Sequence, residues 1–298
     1  MDLDYNDPSL KYAQSDTMIL SWLDNDPRAF SINQFAMNPE DRHLANRNCL
    51  KLVKEGYLER YGDRWGWFRL RQSELDVMDL DSEEARAGDV KIWLPLELSD
   101  QTKVFSGNLI IFFGSKDSGK SALSFNTAKE NRHEWDVRFF NSETGAAELR
   151  NRLLFSDITI DMWQDGITFY RRAGQFDDAV RALKPHPGML IIIDFFEIHT
   201  DYFAVGEALK NIHDSLNGAV CIVCMHKKHP GLDVPPLGSW RALEVCRVGL
   251  SIDHHAAKIK VGKNPQAGKY PWNKVARFEL VDGFTITKFS GWHAEGDE

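Results

Sequence analysis

Gly114-Ser-Lys-Asp-Ser-Gly-Lys-Ser121 is the stretch that decides the fold, because it fits the pattern G-x-x-x-x-G-K-[ST] without a mismatch. It follows an apolar run, Leu109–Phe113, and opens a segment of helical character at Lys120. A strand, a glycine-rich loop and a helix in this order hold a phosphate with inward-facing backbone N–H groups and a helix N-terminus. The sequence therefore predicts a nucleotide-binding site at residues 114–121.

The side chains of this loop have the chemistry that a nucleoside triphosphate and its metal require. Lys120 is expected to place a positive charge against the outer phosphates, and Ser121 to offer a hydroxyl to Mg²⁺. We therefore expect ATP and Mg²⁺ as ligands. The expected nucleotide-binding residues are Gly114, Ser115, Lys116, Asp117, Ser118, Gly119, Lys120, Ser121 and Ala122.

Two acidic residues are expected beside the loop, because each follows an apolar run typical of a strand. Asp194 ends the run that starts at Met189, and Glu143 ends the run that starts at Val137. The carboxyl ends of strands line the ligand crevice of an open α/β sheet. Asp194 is the candidate metal residue, acting on the Mg²⁺ shell through water, and Glu143 is the candidate that polarises the attacking water. Glu148 competes for this role but is predicted inside a helix.

The sequence from residue 91 onward predicts one α/β domain. Short apolar runs rich in β-branched residues alternate there with helical segments, which indicates a mainly parallel sheet covered on both faces. The runs are at 108–114, 137–143, 189–196, 219–225 and 247–253, and the helices start at Lys120, at Ala146 and near Ala204. Residues 257–289 alternate between polar and apolar, which predicts a terminal hairpin.

Histidine and cysteine side chains follow or lie within one of these runs. His226 comes after the run 219–225 and is a candidate catalytic residue, with an ordinary hydrogen-bonded histidine as the alternative. Cys221 and Cys224 have a spacing that metal sites also use. Residues three apart on a strand point to opposite faces, so we interpret both thiols as buried core.

Charge and composition divide the chain into four segments. Residues 42–71 hold eight Lys/Arg and three Asp/Glu, whereas residues 72–89 hold one Arg and seven Asp/Glu. An acidic stretch of this kind is typical of a linker. The predicted boundaries are 1–14 for a flexible N-terminus, 15–71 for a small domain, 72–90 for the linker and 91–298 for the α/β core.

The small domain is predicted to hold three helices and a hairpin. Helices are expected from Asp16, from Ser31 as N-cap and over Leu44–Glu55, and two strands are expected around a Gly62-Asp63 turn. This order resembles a winged helix-turn-helix, which implies contact with DNA or with a protein partner. Arginines interleaved with aromatic residues in Arg60–Arg71 suit DNA phosphates and base stacking, and an aromatic core under solvated arginines is the alternative.

Four segments of the α/β core resemble the RecA-like ATPases, in particular the hexameric replicative helicases of the DnaB and RepA types and the KaiC-like proteins. Phe140–Leu154 is similar to their strand-Ser-x-Glu segment, and Ile222–Lys228 to the strand whose final Gln or His senses the γ-phosphate. Leu237–Leu243 resembles the Gly-Ser turn that follows that strand. Ile259–Asn264 resembles the strand whose tip carries a basic finger. The resemblance covers roughly residues 92–290.

This resemblance implies a RecA-like fold and a homo-oligomer, a ring or filament such as a hexamer. His226 would sense the γ-phosphate, and Lys263 would be a catalytic finger that reaches the ATP of a neighbouring subunit. The family finger often has two basic residues, whereas only Lys263 stands at the tip here. The alternative fingers are Lys260, Lys269 and Lys274.

The implied function is Mg²⁺-dependent ATP hydrolysis coupled to DNA, with single-stranded DNA favoured, in replication, recombination or repair. A helicase or a recombinase would act in this way. The alternative is a regulatory or loader-type switch that oligomerises on ATP and recruits a protein partner through residues 15–71. The net charge of −8 argues against bulk nonspecific binding to nucleic acid. A kinase of small molecules is disfavoured, because such chains usually carry an arginine-rich lid and no winged helix.

The sequence also predicts a cytoplasmic protein that does not enter the membrane. No apolar run reaches the roughly 18 residues that span a bilayer. The first ten residues are acidic and lack the basic start and apolar stretch of a signal peptide.

Overall fold

The computed structural model describes residues 30–34, 39–62, 65–71, 78–171, 175–196 and 204–296. The chain divides after Ser82 into two compact units. We call them the small unit, which ends at Ser82, and the large unit, Glu83–Glu298. The predicted flexible segment 1–14 and the helix predicted from Asp16 lie outside the described residues, and the predicted domain boundaries stay predictions.

The small unit contains a three-stranded antiparallel sheet and one long helix. Its elements are β1 (Phe30–Ser31), a 3₁₀ helix (Ile32–Gln34), α1 (Pro39–Lys54), β2 (Leu58–Arg60) and β3 (Trp67–Leu70). The strands pair in the order β1-β3-β2. Its core consists of seven buried side chains from these elements: Phe30, Ile32, Ala45, Cys49, Leu52, Leu58 and Phe68.

Two predictions for the small unit were wrong in detail. Ser31 is not the cap of an α-helix, because it pairs with Trp67 in the sheet and only a 3₁₀ helix follows. The next helix begins at Pro39 rather than Leu44. Proline is favoured in the first turn of a helix, where its missing N–H would have no partner and its φ is already helical. The expected hairpin is present as β2 and β3, and the winged helix stays a prediction.

The large unit is built on an eight-stranded sheet with helices on both faces. Its strands are β4 (Leu109–Gly114), β5 (Asp136–Asn141), β6 (Ile167–Arg171), β7 (Met189–Phe196), β8 (Val220–His226), β9 (Val248–Asp253), β10 (Ala256–Gly262) and β11 (Val275–Arg277). Its α-helices are α2 (Glu83–Arg86), α3 (Lys120–Asn131), α4 (Ala146–Leu153), α5 (Ile160–Gly166), α6 (Phe176–Ala182) and α7 (Ala204–Asp214), and 3₁₀ helices span Leu98–Asp100 and Ser239–Leu243. A separate hairpin follows, β12 (Glu279–Val281) with β13 (Thr285–Thr287).

The sheet order places the strand of the phosphate-binding loop near the centre. The strands lie in the order β11-β10-β9-β4-β8-β7-β5-β6. The six from β9 to β6 are parallel, β10 is antiparallel to β9, and β11 is antiparallel to β10. The predicted mainly parallel sheet is therefore confirmed.

Alternate residues of β4 enter two different cores, as expected for a sheet buried on both faces. Ile110 and Phe112 pack with residues of α3, α4 and α5. Leu109, Ile111 and Phe113 pack on the other face with residues of α6 and α7. The same alternation separates Cys221 from Cys224, which lie buried in opposite cores, so the interpretation of both thiols as core residues is confirmed.

The C-terminal part of the large unit differs from the single hairpin that the alternation over residues 257–289 predicts. β10 and β11 extend the main sheet by antiparallel pairing, and β12 and β13 form the separate hairpin. The sequence also gave no prediction for β6, α5 and α6. Within the described parts of the chain, no helix combines the length and apolar character that crossing a membrane requires.

Candidate nucleotide site

The loop at Gly114–Ser121 connects β4 to α3, as its pattern predicts. Gly114 is required by close packing, since a Cβ there would lie 2.6 Å from the carbonyl oxygen of Ile252. Gly119 caps the helix with φ +98°, a left-handed conformation that favours glycine. The loop therefore directs its backbone N–H groups and the N-terminus of α3 toward one cleft.

Lys120 is buried beneath the loop. Its Nζ donates to the carbonyl oxygens of Ser115 at 2.6 Å and Gly114 at 3.1 Å. Burial lowers the pKa of Lys120, while the nearby thiol of Cys224 and the carboxylates of Asp194 and Glu143 oppose this shift. An ammonium that is buried among acidic groups is well placed to meet further negative charge in the cleft.

Ser121 and Asp194 lie together at the carboxyl edge of the sheet. The Ser121 hydroxyl donates to Asp194 Oδ1 at 3.2 Å, and the carboxylate is 4% exposed. Burial raises the pKa of Asp194 to about 6, although the Ser121 hydrogen bond opposes the shift. A hydroxyl and a carboxylate are the hard oxygen donors that Mg²⁺ accepts, so this pair fits the metal that the loop predicts.

Glu143 and His226 face each other across the same cleft. Glu143 follows the end of β5, His226 ends β8, and His226 Nε2 lies 3.8 Å from Glu143 Oε1. The Phe195 ring packs edge-on against the imidazole, with ring centroids 4.3 Å apart. Parallel strands β5, β7 and β8 end at one edge, which explains why their terminal polar residues meet.

These residues line one cleft of about 260 Å³. Its walls are formed by Lys116, Asp117, Ser118, Gly119, Lys120, Ser121, Glu143, Arg152, Asp194, Phe195, His226, Leu280 and Gly283. Within the described part of the chain, the buried hydroxyl of Ser118 has no hydrogen-bond partner. A polar cradle with an unpaired hydroxyl fits an oxygen-rich ligand such as a triphosphate.

Two contributors to the cleft were missed from the sequence. Arg152 extends from α4, with its guanidinium 5.1 Å from the centroid of the Phe125 ring. Its position in the helix after Glu143 was the only signal, and an arginine there is usually solvated. Leu280 and Gly283 come from the β12–β13 hairpin, and Leu280 Cδ1 would lie 2.7 Å from a Cβ on Gly119. No motif marks this hairpin.

Lys263 lies away from the cleft, at the opposite edge of the sheet. It follows β10, whose last residue, Gly262, pairs with Val248 at the start of β9. Val248 in turn pairs with Ile110 near the start of β4. A strand of this length spans roughly 20 Å, so the Lys263 ammonium cannot reach the phosphate site of its own chain. Its Nζ donates to the Glu244 carbonyl oxygen at 2.8 Å.

The alternative lysines differ in how far their own contacts engage them. Lys260 Nζ contacts Asp233 Oδ1 at 2.9 Å and Asn273 Oδ1 at 3.2 Å, and Lys274 Nζ contacts Gln101 Oε1 at 3.2 Å. Lys260 is also 5.4 Å from the centroid of the Trp240 ring. The Lys263 ammonium binds a neutral carbonyl, so its charge is less compensated than that of Lys260.

Comparison with known proteins adds evidence about the fold. No protein-family model and no curated protein matches the sequence. A KaiC-like protein from the hyperthermophilic archaeon Pyrococcus horikoshii is similar in structure, with a TM-score of 0.51 and 16% identity over 67% of this chain and 97% of that chain. The large unit has a RecA-like P-loop fold.

Two further solved structures align with the RecA-like unit at lower scores. The RadB recombinase gives a TM-score of 0.47 at 12% identity, covering 62% of this chain and 93% of that chain. An ATPase domain gives a TM-score of 0.49 at 15% identity, covering 69% and 94%. At these identities the likeness concerns the fold, and the chemistry has to be argued from the cleft itself.

Proposed function

We propose that the RecA-like unit binds ATP with Mg²⁺ and hydrolyses it. The observation that carries this proposal is the meeting of Ser121, Asp194, Glu143 and His226 around the phosphate-binding loop in one cleft. Three of the four come from the ends of strands separated in sequence, and a chance glycine-rich turn would not assemble them. The cleft thus combines groups for binding, for metal coordination and for activation of water.

Each residue has a role that its position supports. Lys120 and the backbone N–H groups of residues 114–121 bind the phosphates, and Ser121 and Asp194 hold Mg²⁺, which neutralises charge on the phosphates when bound. Glu143, exposed at the mouth of the cleft, orients the attacking water and takes its proton. His226, beside Glu143, is placed to sense the γ-phosphate as the bond to the leaving diphosphate breaks.

We propose that hydrolysis occurs between subunits of a homo-oligomer, with Lys263 acting on the neighbour's ATP. The support is geometric, because Lys263 stands at the sheet edge opposite its own phosphate site. A ring or filament of identical subunits joined head to tail would bring one edge of each subunit to the other edge of the next. A basic finger in trans stabilises charge on the transferring phosphoryl group.

The proposed substrate of this ATPase activity is DNA, with single strands favoured. Within the small unit, the β2–β3 hairpin exposes Tyr57, Tyr61 and Trp65, which are 53%, 44% and 63% accessible. The Arg69 guanidinium lies 5.6 Å from the centroid of the Tyr61 ring. Phe68, in contrast, is buried in the core, so the hairpin divides its aromatic residues between the interior and the surface. Exposed aromatic rings beside arginines suit base stacking and phosphate contact.

A regulatory or loader-type switch is the second candidate. The single lysine at the finger position favours it, because one ammonium stabilises less charge than the usual pair. In that case ATP would drive assembly and the small unit would recruit a protein partner.

An ATPase assay with and without single- and double-stranded DNA tests both candidates, alongside mass measurement with a slowly hydrolysed ATP analogue. We expect Mg²⁺-dependent hydrolysis, assembly with the analogue, and stimulation by single strands. Hydrolysis and assembly without any response to DNA would refute the DNA-coupled function and support the switch. Hydrolysis that persists in Lys120→Ala would refute the site itself.

A further inference from the structure

Asp253, which no sequence pattern singled out, lies directly beside the phosphate-binding loop. It ends β9, and its neighbour Ile252 pairs with Gly114 at the end of β4. The residue after each of these strand ends therefore enters the same region. Asp253 is 8% exposed, so its carboxylate needs internal partners.

The two oxygens of this carboxylate bind two different loops. Oδ1 accepts from the Ser115 hydroxyl at 2.8 Å and from the backbone N–H of His254 at 3.1 Å. Oδ2 accepts from the backbone N–H of Gly231. Although burial opposes it, the pKa of Asp253 is lowered by the bonds from Gly231 and Ser115, so the carboxylate is charged at neutral pH. Hydrogen bonds to a charged, buried acceptor are among the stronger ones in proteins.

Lys227 completes the connection at Gly231. Its Nζ donates to the Gly231 carbonyl oxygen at 2.7 Å, and its backbone N–H donates to the Gly114 carbonyl oxygen at 3.1 Å. Gly231 is thus held by its N–H and its C=O from residues that also contact the phosphate-binding loop. Its φ of +125° is one that side chains rarely adopt, which suits glycine at this point.

The remainder of the loop at residues 228–238 is anchored elsewhere. The Ser251 hydroxyl donates to the Leu232 carbonyl oxygen at 2.6 Å, and Asp233 accepts from Lys258 at 2.8 Å and Lys260 at 2.9 Å. These partners belong to the middle of β9 and to β10, away from Ser115. Gly231 is therefore where the described contacts join the loop to the nucleotide cleft.

We propose that Asp253 is a positioning residue that couples the phosphate-binding loop to the loop at 228–238 through Ser115 on one side and Gly231 on the other. A shift of Ser115 on nucleotide binding would move or release Gly231, and with it a loop whose proline-rich sequence follows directly on His226. The inference rests on the proposed function, because it requires that the cleft bind a nucleotide. It assigns the transmission of nucleotide state to a carboxylate outside the catalytic group.

Hydrogen exchange of the full chain, with and without Mg²⁺ and ATPγS, tests this coupling. In the natural sequence we expect ligand to protect residues 114–121 and to change exchange of the 229–237 amides by at least about fivefold, the size of one hydrogen bond. Asp253→Ala and Ser115→Ala should each retain protection of the phosphate-binding loop and lose the response at 229–237.

Asp233→Asn is the matched control, because it loosens the same loop from β10 without touching Ser115. It should raise the basal exchange of residues 229–237 and keep the response to ATPγS. Ser115→Ala removes only a hydroxyl, so it keeps the test valid even if Asp253→Ala does not fold. A full response at 229–237 in Ser115→Ala would overturn the coupling.

The experiment separates the two proposals. Absence of protection at 114–121 in the natural sequence would refute nucleotide binding and therefore the proposed function. Protection at 114–121 without any change at 229–237 would refute the coupling and leave the proposed function intact.

Discussion

The two edges of the eight-stranded sheet differ in what they collect. At the carboxyl edge of the parallel strands, Ser121, Asp194, Glu143 and His226 meet in one cleft of about 260 Å³. At the other edge Lys263 stands apart, bound to a backbone carbonyl of its own chain. Parallel strands bring their ends together at a single edge, whereas the antiparallel β10 carries its end to the opposite one. One subunit thus contains a binding site and, at a distance, a cation that has no phosphate to meet.

The largest effect is expected at the carboxyl edge from Lys120→Ala. Loss of the buried ammonium removes charge stabilisation from the phosphates, so hydrolysis should fall about a thousandfold, and nucleotide affinity should fall as well. Steady-state phosphate release and titration with a fluorescent ATP analogue measure the two quantities. Lys116→Ala, at an exposed position of the same loop, is the control and should lose far less. Equal losses in both variants would argue that Lys120 has no special role.

Glu143→Gln should separate hydrolysis from binding. The amide keeps the shape of the side chain but cannot take a proton, so hydrolysis should fall about a hundredfold while ATP affinity stays within a few-fold. Glu148→Gln is the matched control on α4 and should remain active. Full activity in Glu143→Gln together with loss in Glu148→Gln would reassign the base to the residue inside the helix.

Lys263→Ala tests the opposite edge, and its loss should depend on assembly. A lone, exposed ammonium contributes less than a buried one, so we expect about a tenfold loss of hydrolysis with nucleotide affinity unchanged. Mixing Lys263→Ala with Glu143→Gln should restore activity, because some interfaces then combine an intact cleft with an intact lysine. Failure of the mixture to recover would place Lys263 outside the reaction. Lys269→Ala is the control for a neighbouring charge.

The smallest effect concerns the stability of the unliganded protein. Burial raises the pKa of Asp194 to about 6 from 3.8, so the folded protein holds this proton more tightly than the unfolded chain does. Stability from the protonated form is present at pH 4 and is lost as pH rises through about 6. Without Mg²⁺ or nucleotide, Asp194→Asn should therefore be more stable than the natural sequence at pH 7.5, by at most roughly 3 kcal/mol.

Chemical unfolding at pH 4 and at pH 7.5 measures this difference, which should shrink at the lower pH. Asp233→Asn should show the opposite sign at pH 7.5, because hydrogen bonds from Lys258 and Lys260 lower the pKa of Asp233. An Asp194→Asn variant that is less stable at pH 7.5 would contradict the argument.

The same comparison shows how far the sequence determines the structure. The buried strands were predictable because their side chains are apolar on both faces, so that Met189–Phe196 and Val220–His226 give continuous runs. β6 was missed because it lies at the end of the sheet, where Thr168 and Arg171 are exposed and interrupt the pattern. The pairing of β10 with β9 was missed because alternation indicates a half-buried strand without indicating its neighbour.

The candidate site was predictable to the same extent. Glu143, Asp194 and His226 each follow an apolar run, and a parallel sheet then dictates that they share an edge. Arg152 and Asp253 could not be found in this way, since neither lies in a motif and each depends on tertiary contacts with distant segments.

The position of β4 between β8 and β9 has a consequence for how the protein is made. The strand that carries the phosphate-binding loop has no sheet partner nearby in sequence, because its neighbours begin at Val220 and Val248. Leu280, which packs over Gly119, comes later still. During synthesis the loop therefore emerges long before the segments that shape it, and such distant pairings form slowly. We expect nucleotide binding to appear only in the last stage of folding, so that ATP stabilises finished chains and not intermediates.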